Sequence, residues 1–384
     1  MSNYRENSLL KKWLIRILLV VAISLVLLAA YLFLAPVPIN PVAWQSTPFS
    51  GYAPPHARNS KLASLQMISI GDEIGPEHIA LGPDGKLYAA VASGDILRME
   101  PDGRQREIWV NTGGRVLGFD FDASGNLIAA DAFRGLLLID KDKQIRVLTS
   151  SVDNTPIRYA DGVVVGKNGK MYFTDASQRF GAKESGGTFQ ASILDILEHS
   201  STGRVLEYDP STRMTTVIAD GLCFANGIAL SADQQHLFVN ETGEYRVWKI
   251  DVTARQLNLK HRPDKKLASL ILRDLPGYPD NLMRGRDGRI WLGLAKPRGA
   301  AIDSMAQEPW LRSLTLRLPR SLWPVPPAYG HVMAFNEQGK VLMDLQDPTG
   351  HYPETTGVTE TADRLYIQSL HAHGIGWMKN TLSH

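Results

Sequence analysis

The hydrophobic and polar positions divide the chain into one long apolar run near its start and a large remainder of short alternating segments. From Ile17 to Leu34 no residue is charged, and Ser24 is the only clearly polar one. Together with residues 13–15, the run reaches the roughly 20 residues that a helix needs to span a bilayer. We therefore predict a cytoplasmic stub and transmembrane anchor in residues 1–35, with membrane contact through residues 13–35.

Basic residues lie on only one side of this run. Four precede it, namely Arg5, Lys11, Lys12 and Arg16, and none follows until Arg58. The positive-inside rule then places the N-terminus in the cytoplasm and the rest of the chain outside, in a periplasmic, lumenal or extracellular space. A cleaved signal peptide is the alternative, but its apolar stretch is about 7–15 residues long, and Pro36 disfavours cleavage after Ala35. We expect an uncleaved anchor and an extended Pro-rich linker over residues 36–66.

Beyond residue 60 one pattern recurs: a turn, an apolar strand that usually carries an aromatic residue, a polar break and a second apolar strand. The six copies begin at Asp84, Ser124, Asn168, Asp233, Asp287 and Ala362. Irregular spacings of about 40 to 75 residues are typical of a β-propeller with loop insertions. Unrelated hairpins of a β-sandwich are the alternative, but the shared turn and second strand favour blades. We predict an all-β fold, a six-bladed propeller over residues 67–380.

Two of the spacings are stretched, which predicts insertions at about 176–203 and 296–330. The first contains a short helical pattern at Ser192–Glu198, and the second is rich in Trp and Leu with interspersed Arg. Long connections in compact domains are usually lids or binding loops. The second insertion is either a cap on one propeller face or a hydrophobic entry to a site, in contact with the bilayer that holds the anchor. The sequence leaves both possibilities open.

Composition narrows the picture further. The formal net charge of +2 gives no sign of the concentrated basic face that a nucleic-acid partner requires. The 33 Gly and 22 Pro residues favour many turns and short strands. The single cysteine, Cys223, excludes an intrachain disulfide and lies in an apolar run, so we expect it to be a buried small hydrophobe. The fold must therefore close by packing and hydrogen bonding.

Candidate metal ligands occupy the same place in four of the six units. Seven residues before the turn, these units carry Glu77, Asp161, Asn226 and Asp280. The other two carry Leu117 and, depending on the shorter last turn, Thr355 or Thr356. Equivalent positions at the start of the innermost strands of a propeller face the central channel at one rim. We therefore expect these four side chains to converge although they are far apart in sequence.

Three carboxylates and one amide in a narrow channel repel one another strongly unless a cation lies among them. Ligand sets that contain only oxygen favour a hard ion, and Ca²⁺ accepts about six to eight oxygens in loose geometry. Zinc is disfavoured because its usual ligands are Cys and His. Asp and Asn also form turns without binding any ion, but the shared register favours ligation. We predict one Ca²⁺ on the propeller axis, bound by Glu77, Asp161, Asn226 and Asp280.

The sequence contains few other catalytic signals. It has no G-x-S-x-G elbow, phosphate-binding loop, paired CxxC or H-E-x-x-H motif. His371 and His373 lie two apart on an apparent strand, so they would share a face and could reach the channel. Histidines at such positions are more often structural than catalytic.

Several ordered segments carry a resemblance to a known family. They are Gly203–Leu206, Phe224–Ser231, Asn240–Gly243 and Leu275–Asn281, with Gly75–Glu77, Ala130–Leu136 and Tyr172–Asp175 in agreement. From about residue 70 to 378 the chain resembles the strictosidine synthase-like proteins, which include the animal adipocyte plasma membrane-associated protein. These belong to the wider calcium-dependent phosphotriesterase-like superfamily with gluconolactonase, regucalcin and the paraoxonases. The resemblance implies a six-bladed propeller, and the animal relative also has an N-terminal anchor.

The resemblance also carries implications for single residues. Glu77, Asn226 and Asp280 match the metal-ligand positions of the family. Asp161 falls where relatives commonly have Asn, and the added charge would tighten ion binding or take a catalytic role. Plant strictosidine synthase uses a glutamate at the start of its sixth-blade strand to deprotonate an amine. Thr355 and Thr356 stand there in this chain, so we do not expect strictosidine synthesis.

Two functions remain open at this point. The first is a membrane-anchored, calcium-dependent hydrolase of lactone or aryl-ester substrates. In it the ion polarises the carbonyl, and Asp280, or alternatively Asp161, activates water or attacks directly. The second is a non-catalytic, membrane-tethered binding module with a structural calcium ion. The sequence does not separate them, since structural and catalytic calcium use the same ligands.

Overall fold

The computed structural model describes residues 2–49, 51–261 and 263–382, with side chains from residue 10 onward. It begins with one long helix, α1 (Ser2–Leu34). The 25 residues Leu10–Leu34 are long and apolar enough to cross a membrane, and no part of their most apolar stretch is buried. The helix therefore has the length and surface predicted for the anchor.

The strands of the first half form two blades and most of a third. After β1 (Gln66–Ser69), blade one contains β2 (His78–Leu81), β3 (Leu87–Ala90), β4 (Asp95–Met99) and β5 (Glu107–Asn111). Blade two contains β6 (Val116–Phe121), β7 (Leu127–Asp131), β8 (Gly135–Ile139) and β9 (Ile145–Thr149), and a small hairpin follows with β10 (Ser151–Val152) and β11 (Thr155–Pro156). Blade three contains β12 (Ala160–Val165), β13 (Met171–Asp175), β14 (Gly203–Asp209) and β15 (Met214–Leu222).

The second half completes the ring. Blade four contains β16 (Ala225–Leu230), β17 (His236–Glu241), β18 (Arg246–Asp251) and β20 (Ala268–Leu272). Between β18 and β20 the chain forms β19 (Leu257–Asn258), which pairs in parallel with β15 and adds a fifth strand to blade three. Blade five contains β21 (Gly277–Arg284), β22 (Ile290–Pro297), β23 (Gly330–Phe335) and β24 (Val341–Asp347). Blade six contains β25 (Thr355–Glu360), β26 (Arg364–Ser369) and β27 (Gly374–Lys379). The predicted six-bladed propeller is confirmed.

The ring closes by pairing the first strand with the last. β1 pairs antiparallel with β27, with Ile68 opposite Ile375, and so supplies the outermost strand of blade six. At the centre, β2 contacts both β6 and β25, so the inner strands form a continuous circle. This closure by hydrogen bonds leaves no need for a disulfide, and Cys223 is buried as expected.

The blades are held together by apolar layers, as β7 illustrates. Leu127 and Ala129 pack towards blade one, whereas Ile128 and Ala130 pack towards blade three. Successive side chains of a strand point to opposite faces, and here both faces are covered by a neighbouring blade. A strand of this kind reads as a continuous apolar run, which is why each unit was visible in the sequence.

Both predicted insertions lie over the rim where the inner strands begin. Residues 176–202 contain α2 (Thr188–Glu198), which confirms the helical pattern and begins four residues before it. Residues 298–329 contain α3 (Ala300–Ser304) and α4 (Pro309–Arg317). α2 and α4 contact each other. The two insertions therefore form one layer above the channel.

The described residues between α1 and β1, which begins at Gln66, form no helix or strand, but they contact first the insertion layer and then blade five. Ile39 and Leu62 are buried. Trp44 stacks on His199, with 3.9 Å between the ring centroids. The backbone N–H of Val42 donates to the carbonyl oxygen of Glu198, the last residue of α2, at 2.8 Å. The predicted extended linker is thus a packed segment that joins the anchor to the insertion layer.

Candidate metal centre and cavity

Five of the six inner strands share a distortion near their start, where the predicted ligands of three of them lie. The pairing register shifts between Ala160 and Val163 in β12 and between Ala225 and Ile228 in β16, and inner strands β6, β21 and β25 show the same irregularity. A bulge of this kind bends a strand and redirects a side chain. Asp161, Asn226 and Asp280 therefore sit where the backbone departs from regular pairing, whereas Glu77 directly precedes β2, which pairs regularly.

Glycines beside two of the ligands allow the inner strands to approach closely. A Cβ added to Gly162, next to Asp161, would lie 3.1 Å from the backbone nitrogen of Ile228 in the next blade. One added to Gly227, next to Asn226, would collide with the carbonyl oxygen of Asp280. The ligand-glycine sequence is thus the local feature that packs three inner strands around a narrow centre.

All four predicted ligands line the same cavity, which has a volume of about 830 Å³. Glu77 precedes β2, and the other three lie within β12, β16 and β21. Each of the four side chains is buried. The structure therefore brings together the residues that the register argument selected, at the floor of one cavity.

The surroundings of the carboxylates at the floor of the cavity disfavour their ionised form. Burial, followed by the charges of Asp280 and Glu77, raises the pKa of Asp161 well above its usual range. Burial and the charge of Glu77 do the same to the pKa of Asp280. Burial also raises the pKa of Glu77, although Arg115 acts in the opposite direction. The site thus concentrates more negative charge than its own groups neutralise.

The residues present fit a hard divalent cation. The side-chain oxygen of Asn226 is buried and has no hydrogen-bond partner in the protein, so this oxygen is available to coordinate a cation. Within the described residues, the ligand oxygens of Glu77, Asp161 and Asp280 are not all within 4.8 Å of one another. Calcium holds its oxygens at about 2.3–2.6 Å, so opposite ligands lie up to about 5 Å apart. The fit rests on the types of donor, three carboxylates and one unpartnered amide oxygen, which are the ligands that a hard divalent cation prefers.

One basic residue beside the ligands was missed from the sequence. Arg115, two residues before Leu117 in blade two, forms a buried ion pair with Glu77 and lines the cavity. Its second guanidinium nitrogen has no partner. With three carboxylates and one guanidinium ionised, two negative charges remain, which matches one divalent cation. The sequence signal that could have found Arg115 is the absence of a ligand in blade two, because such a blade can supply a positive charge instead.

In the two units without ligands, the residues at the equivalent positions make other contacts. Leu117 packs into the apolar cluster under α2. The hydroxyl of Thr355 donates to the carbonyl oxygen of His331, and that of Thr356 donates to the carbonyl oxygen of Glu77, both at 2.8 Å. These hydroxyls tie neighbouring inner strands together at the rim.

A second polar group borders the cavity at blade six. Glu354, one residue before β25, pairs with the Nδ1 of His371 and lies 2.7 Å from the Nζ of Lys296. His371 and Lys296 line the cavity. The hydrogen bond to Glu354 raises the pKa of His371. Glu354 adopts φ 51°, a left-handed conformation that glutamate rarely takes. Glu354 was missed because counting seven residues back from the turn, which is shorter in the last unit, leads to Thr355 or Thr356.

The prediction that His371 and His373 share a strand is wrong. Both lie in the turn that precedes β27, because Gly374 is the first residue to pair with β1. Both side chains are exposed, and of the two only His371 lines the cavity. A turn places two alternate residues in unrelated directions, so the shared face expected of a strand does not apply.

The upper walls of the cavity are apolar and come from the insertion layer. Phe189 and Ile193 of α2 line this space together with Trp323 and Val325 of the second insertion. The cavity therefore has a charged floor at the propeller axis and a hydrophobic upper part. Such a division suits a ligand with one polar reacting group and an apolar body.

Another buried polar cluster lies away from the cavity, where the linker meets blade five. Among the described residues, His56, His331 and Asp344 form a group of three potential metal ligands, in which one ligand atom of each residue lies within 4.8 Å of those of the other two. Nδ1 of His56 and Nε2 of His331 lie 2.8 and 2.9 Å from the same oxygen of Asp344. The side-chain amide of Asn59 donates to the backbone carbonyl of Asp344 at 3.2 Å. This arrangement ties the linker to the propeller through complementary hydrogen bonds.

Comparison with known proteins gives family matches in two parts of the chain. A family described as strictosidine synthase matches residues 161–254, and one described as strictosidine synthase-like, N-terminal, matches residues 54–99. Protein strictosidine synthase-like 7 of Arabidopsis thaliana is 34% identical over 307 residues, covering 78% of this chain and 76% of its own. The human adipocyte plasma membrane-associated protein is 26% identical over 358 residues, covering 87% of this chain and 82% of its own.

Solved structures with the same fold are more distant in sequence. A gluconolactonase from Xanthomonas campestris has a TM-score of 0.58 at 18% identity, covering 88% of this chain and 98% of its own. A calcium-binding protein, regucalcin, from Agrobacterium tumefaciens has a TM-score of 0.55 at 12% identity, covering 82% and 94%. At such identities the likeness shows the fold alone.

Proposed function

The chain belongs to the strictosidine synthase-like family, and from that premise we propose that it is a membrane-anchored, calcium-dependent hydrolase of lactones or aryl esters. The observation that carries the proposal is the set of three buried carboxylates and one unpartnered amide oxygen at the floor of a large cavity. The fold neighbours described as a gluconolactonase and a calcium-binding protein are consistent with it.

The proposed ion would be held by Glu77, Asp161, Asn226 and Asp280. When bound, it supplies positive charge that stabilises a carbonyl oxygen as negative charge develops on it. Asn226 offers the ion a neutral oxygen. Arg115 holds Glu77 in place from the side of blade two.

Asp280 is the carboxylate that we propose to activate water or to attack the substrate carbonyl, and Asp161 is the alternative. Both lie at the floor of the cavity, where a carbonyl group would meet them, and both are buried. The apolar walls above them exclude water from the rest of the substrate. This arrangement favours attack at one defined carbonyl.

His371 adds a group that the sequence did not assign to this chemistry. If its Nδ1 carries the proton shared with Glu354, its Nε2 is free to accept a proton. As an alternative to the two carboxylates in this step, we propose that His371 takes the proton of the attacking water, with the ring oriented by Glu354, which Lys296 holds in turn. A carboxylate that holds a histidine in one tautomer is a recurring arrangement for a general base.

We propose that the chain does not condense amines with aldehydes as strictosidine synthase does. Thr355 and Thr356 are not basic, and their hydroxyls are bonded to backbone carbonyls. Glu354, one residue earlier, is engaged by Lys296 and His371. For topology, the basic residues before α1 support a cytoplasmic N-terminus with the propeller outside.

The test is turnover of a lactone and a phenyl ester by the full chain, with calcium and then with a chelator. We expect turnover with calcium and its loss on chelation, restored by added calcium. Equal rates in both conditions, or no turnover of any ester, would reject the hydrolase. The protein would then be a membrane-tethered binding module, and calcium would act on its stability alone.

A further inference from the structure

We propose that the cavity opens onto the bilayer spanned by α1 and receives amphiphilic lactones or esters from its outer leaflet. The proposal names the substrate class of the hydrolase inferred above and so rests on that function. Three observations carry it: the contact between α1 and the second insertion, the role of that insertion in the cavity wall, and the exposed apolar side chains around both.

The first observation is that the end of α1 is fixed to the insertion. Phe33 of α1 stacks on Trp310 of α4, with 6.3 Å between the ring centroids. Arg317 of α4 donates to the carbonyl oxygens of Ala35 and Leu32, at 2.7 and 3.2 Å. The last carbonyls of a helix lack partners within the helix and carry partial negative charge, which an arginine satisfies. α4 therefore lies at the level where α1 leaves the hydrocarbon.

The second observation is that the same insertion reaches the cavity within a few residues. Arg320, Trp323 and Val325, which follow α4 closely, line the upper cavity. The amide oxygen of Gln190 in α2 accepts a hydrogen bond of 2.7 Å from Arg320 and links the two insertions there. The distance along the chain from the helix end to the cavity wall is therefore short, and the wall cannot lie far from the membrane surface.

The third observation is the character of the exposed side chains in this layer. Phe189, Trp310, Leu322 and Val325 are between 44% and 62% exposed. Phe189 and Val325 line the cavity, and Trp310 and Leu322 belong to the same insertion as Val325. Exposed large apolar side chains that occur together mark a surface that is covered by a partner or a membrane. Tryptophan and arginine are favoured at the membrane interface, where an apolar body and a polar tip are both accommodated. The continuity of this surface with α1 identifies the bilayer as its occupant.

The substrate class follows from the two halves of the cavity. A membrane-resident ester or lactone presents its apolar chain to the hydrocarbon and its carbonyl near the headgroups. Entering sideways, the chain would contact Phe189, Ile193 and Trp323, while the carbonyl would reach the carboxylates at the floor. A small polar ester gains little from contact with the apolar walls, so the rate of hydrolysis is expected to rise with the acyl length of the substrate.

The contact with the bilayer can be measured without any activity. Because Cys223 is buried and burial raises the pKa of its thiol well above the usual range, an introduced surface cysteine can be labelled selectively. The full chain with Leu322→Cys carries an environment-sensitive dye in vesicles that contain brominated phospholipid. Lys340→Cys, in the turn between β23 and β24 at the opposite rim, is the matched control. We expect blue-shifted emission and quenching by the lipid at 322, and neither at 340.

The substrate class is tested with lactones of increasing acyl length in the same vesicles. Leu322→Asp places a charge at the interface and should lower turnover of the long-chain substrate by about tenfold, without affecting the short one. Leu342→Asp, at an exposed leucine of the outer strand β24, should change neither. Equal effects on both lengths would overturn the substrate class.

The membrane-facing mouth and the hydrolase activity can be rejected independently of each other. If the dye at 322 stays as exposed to water as the dye at 340, the membrane-facing mouth is wrong even if esters are hydrolysed. If the dye at 322 enters the lipid but no lactone or ester is hydrolysed, the surface stands and the hydrolase is wrong.

Discussion

Two buried polar clusters of this protein meet the same physical problem in opposite ways. At the junction of linker and blade five, one carboxylate, Asp344, is faced by His56 and His331. Burial alone would raise the pKa of Asp344, but the hydrogen bonds from the two histidines outweigh it and hold that pKa well below its usual range. The cluster contains its own donors and needs nothing from outside.

The axial cluster has the reverse composition. Three carboxylates face one another with Arg115 as the nearby counter-charge, and the pKa values of Asp161 and Asp280 are raised. The oxygen of Asn226 has no partner. A buried polar group without a partner costs free energy that the fold must otherwise offset. The comparison shows which cluster is a complete structural element and which one is built to receive a cation.

The largest expected effect is at Asp280. Asp280→Asn keeps the shape of the side chain but removes the charge, so ester turnover should fall by about 10²–10⁴-fold. The melting temperature without calcium should not fall, because the change removes a buried charge from a repulsive group. Asp287→Asn, in the exposed turn of the same blade, is the matched control and should leave turnover unchanged. Full activity in Asp280→Asn would assign the role to Asp161 or reject the mechanism.

The second effect tests the other cluster. Asp344→Ala leaves the buried His331 and the partly buried His56 without their acceptor and should lower the free energy of unfolding by about 2–4 kcal/mol. Chemical denaturation of the detergent-solubilised protein measures it. The remaining folded fraction should hydrolyse esters at the normal rate, because Asp344 does not line the cavity. A specific loss of turnover without loss of stability would contradict the separation of the two clusters.

The third effect concerns calcium and pH together. Raised pKa values mean that the ion-free fold retains protons that the unfolded chain releases above about pH 4. Its stability therefore falls as pH rises through the raised pKa values of Glu77, Asp161 and Asp280. Calcium replaces those protons, so its stabilisation should grow with pH, to about 2.7 kcal/mol at a hundredfold excess over the dissociation constant.

Thermal melts with calcium and with chelator, from pH 4 to pH 8, measure this dependence. The same series on Asp344→Ala should show an unchanged calcium increment, since that residue lies in the other cluster. A calcium increment independent of pH would mean that the axial carboxylates do not bind the ion.

The smallest expected effect concerns His371. Its pKa is raised by the bond to Glu354, so the neutral, proton-accepting form increases as pH rises through that raised value. Turnover of the native chain should rise over the same range. His371→Gln should lose this rise and slow the reaction by about tenfold or more near neutral pH, whereas His373→Gln, in the same turn, should retain the profile. An unchanged profile in His371→Gln would leave Asp280 or Asp161 as the base.

The fold was predictable because each blade repeats the same local pattern. A turn such as Asp84-Gly85 and the apolar strand after it recur six times, and the buried faces of β7 explain why those strands read as apolar runs. The convergence of Glu77 and Asp280 followed from register alone, because the symmetry of the ring places equivalent residues together. Their roles as ligand and catalyst stay predictions.

The missed residues depend on contacts that the repeat does not encode. Arg115 comes from the blade that lacks a ligand, and Glu354 takes an unusual backbone conformation just before β25. The packing of Trp44 on His199 likewise follows from the path of an irregular segment. Such positions break the period of the sequence, so only the three-dimensional arrangement reveals them. The second insertion contributes to the layer above the channel, which fits both interpretations made from the sequence, and its contact with α1 is the observation behind the proposed entry beside the membrane.

Crystals of the protein soaked in calcium test most directly whether the axial cluster receives a cation. We predict one anomalous peak on the axis, within about 2.3–2.6 Å of oxygens from Glu77, Asp161, Asn226 and Asp280, and none at His56, His331 and Asp344. An axis without a peak at saturating calcium, with Arg115 still paired to Glu77, would contradict the cation site and the hydrolase built on it.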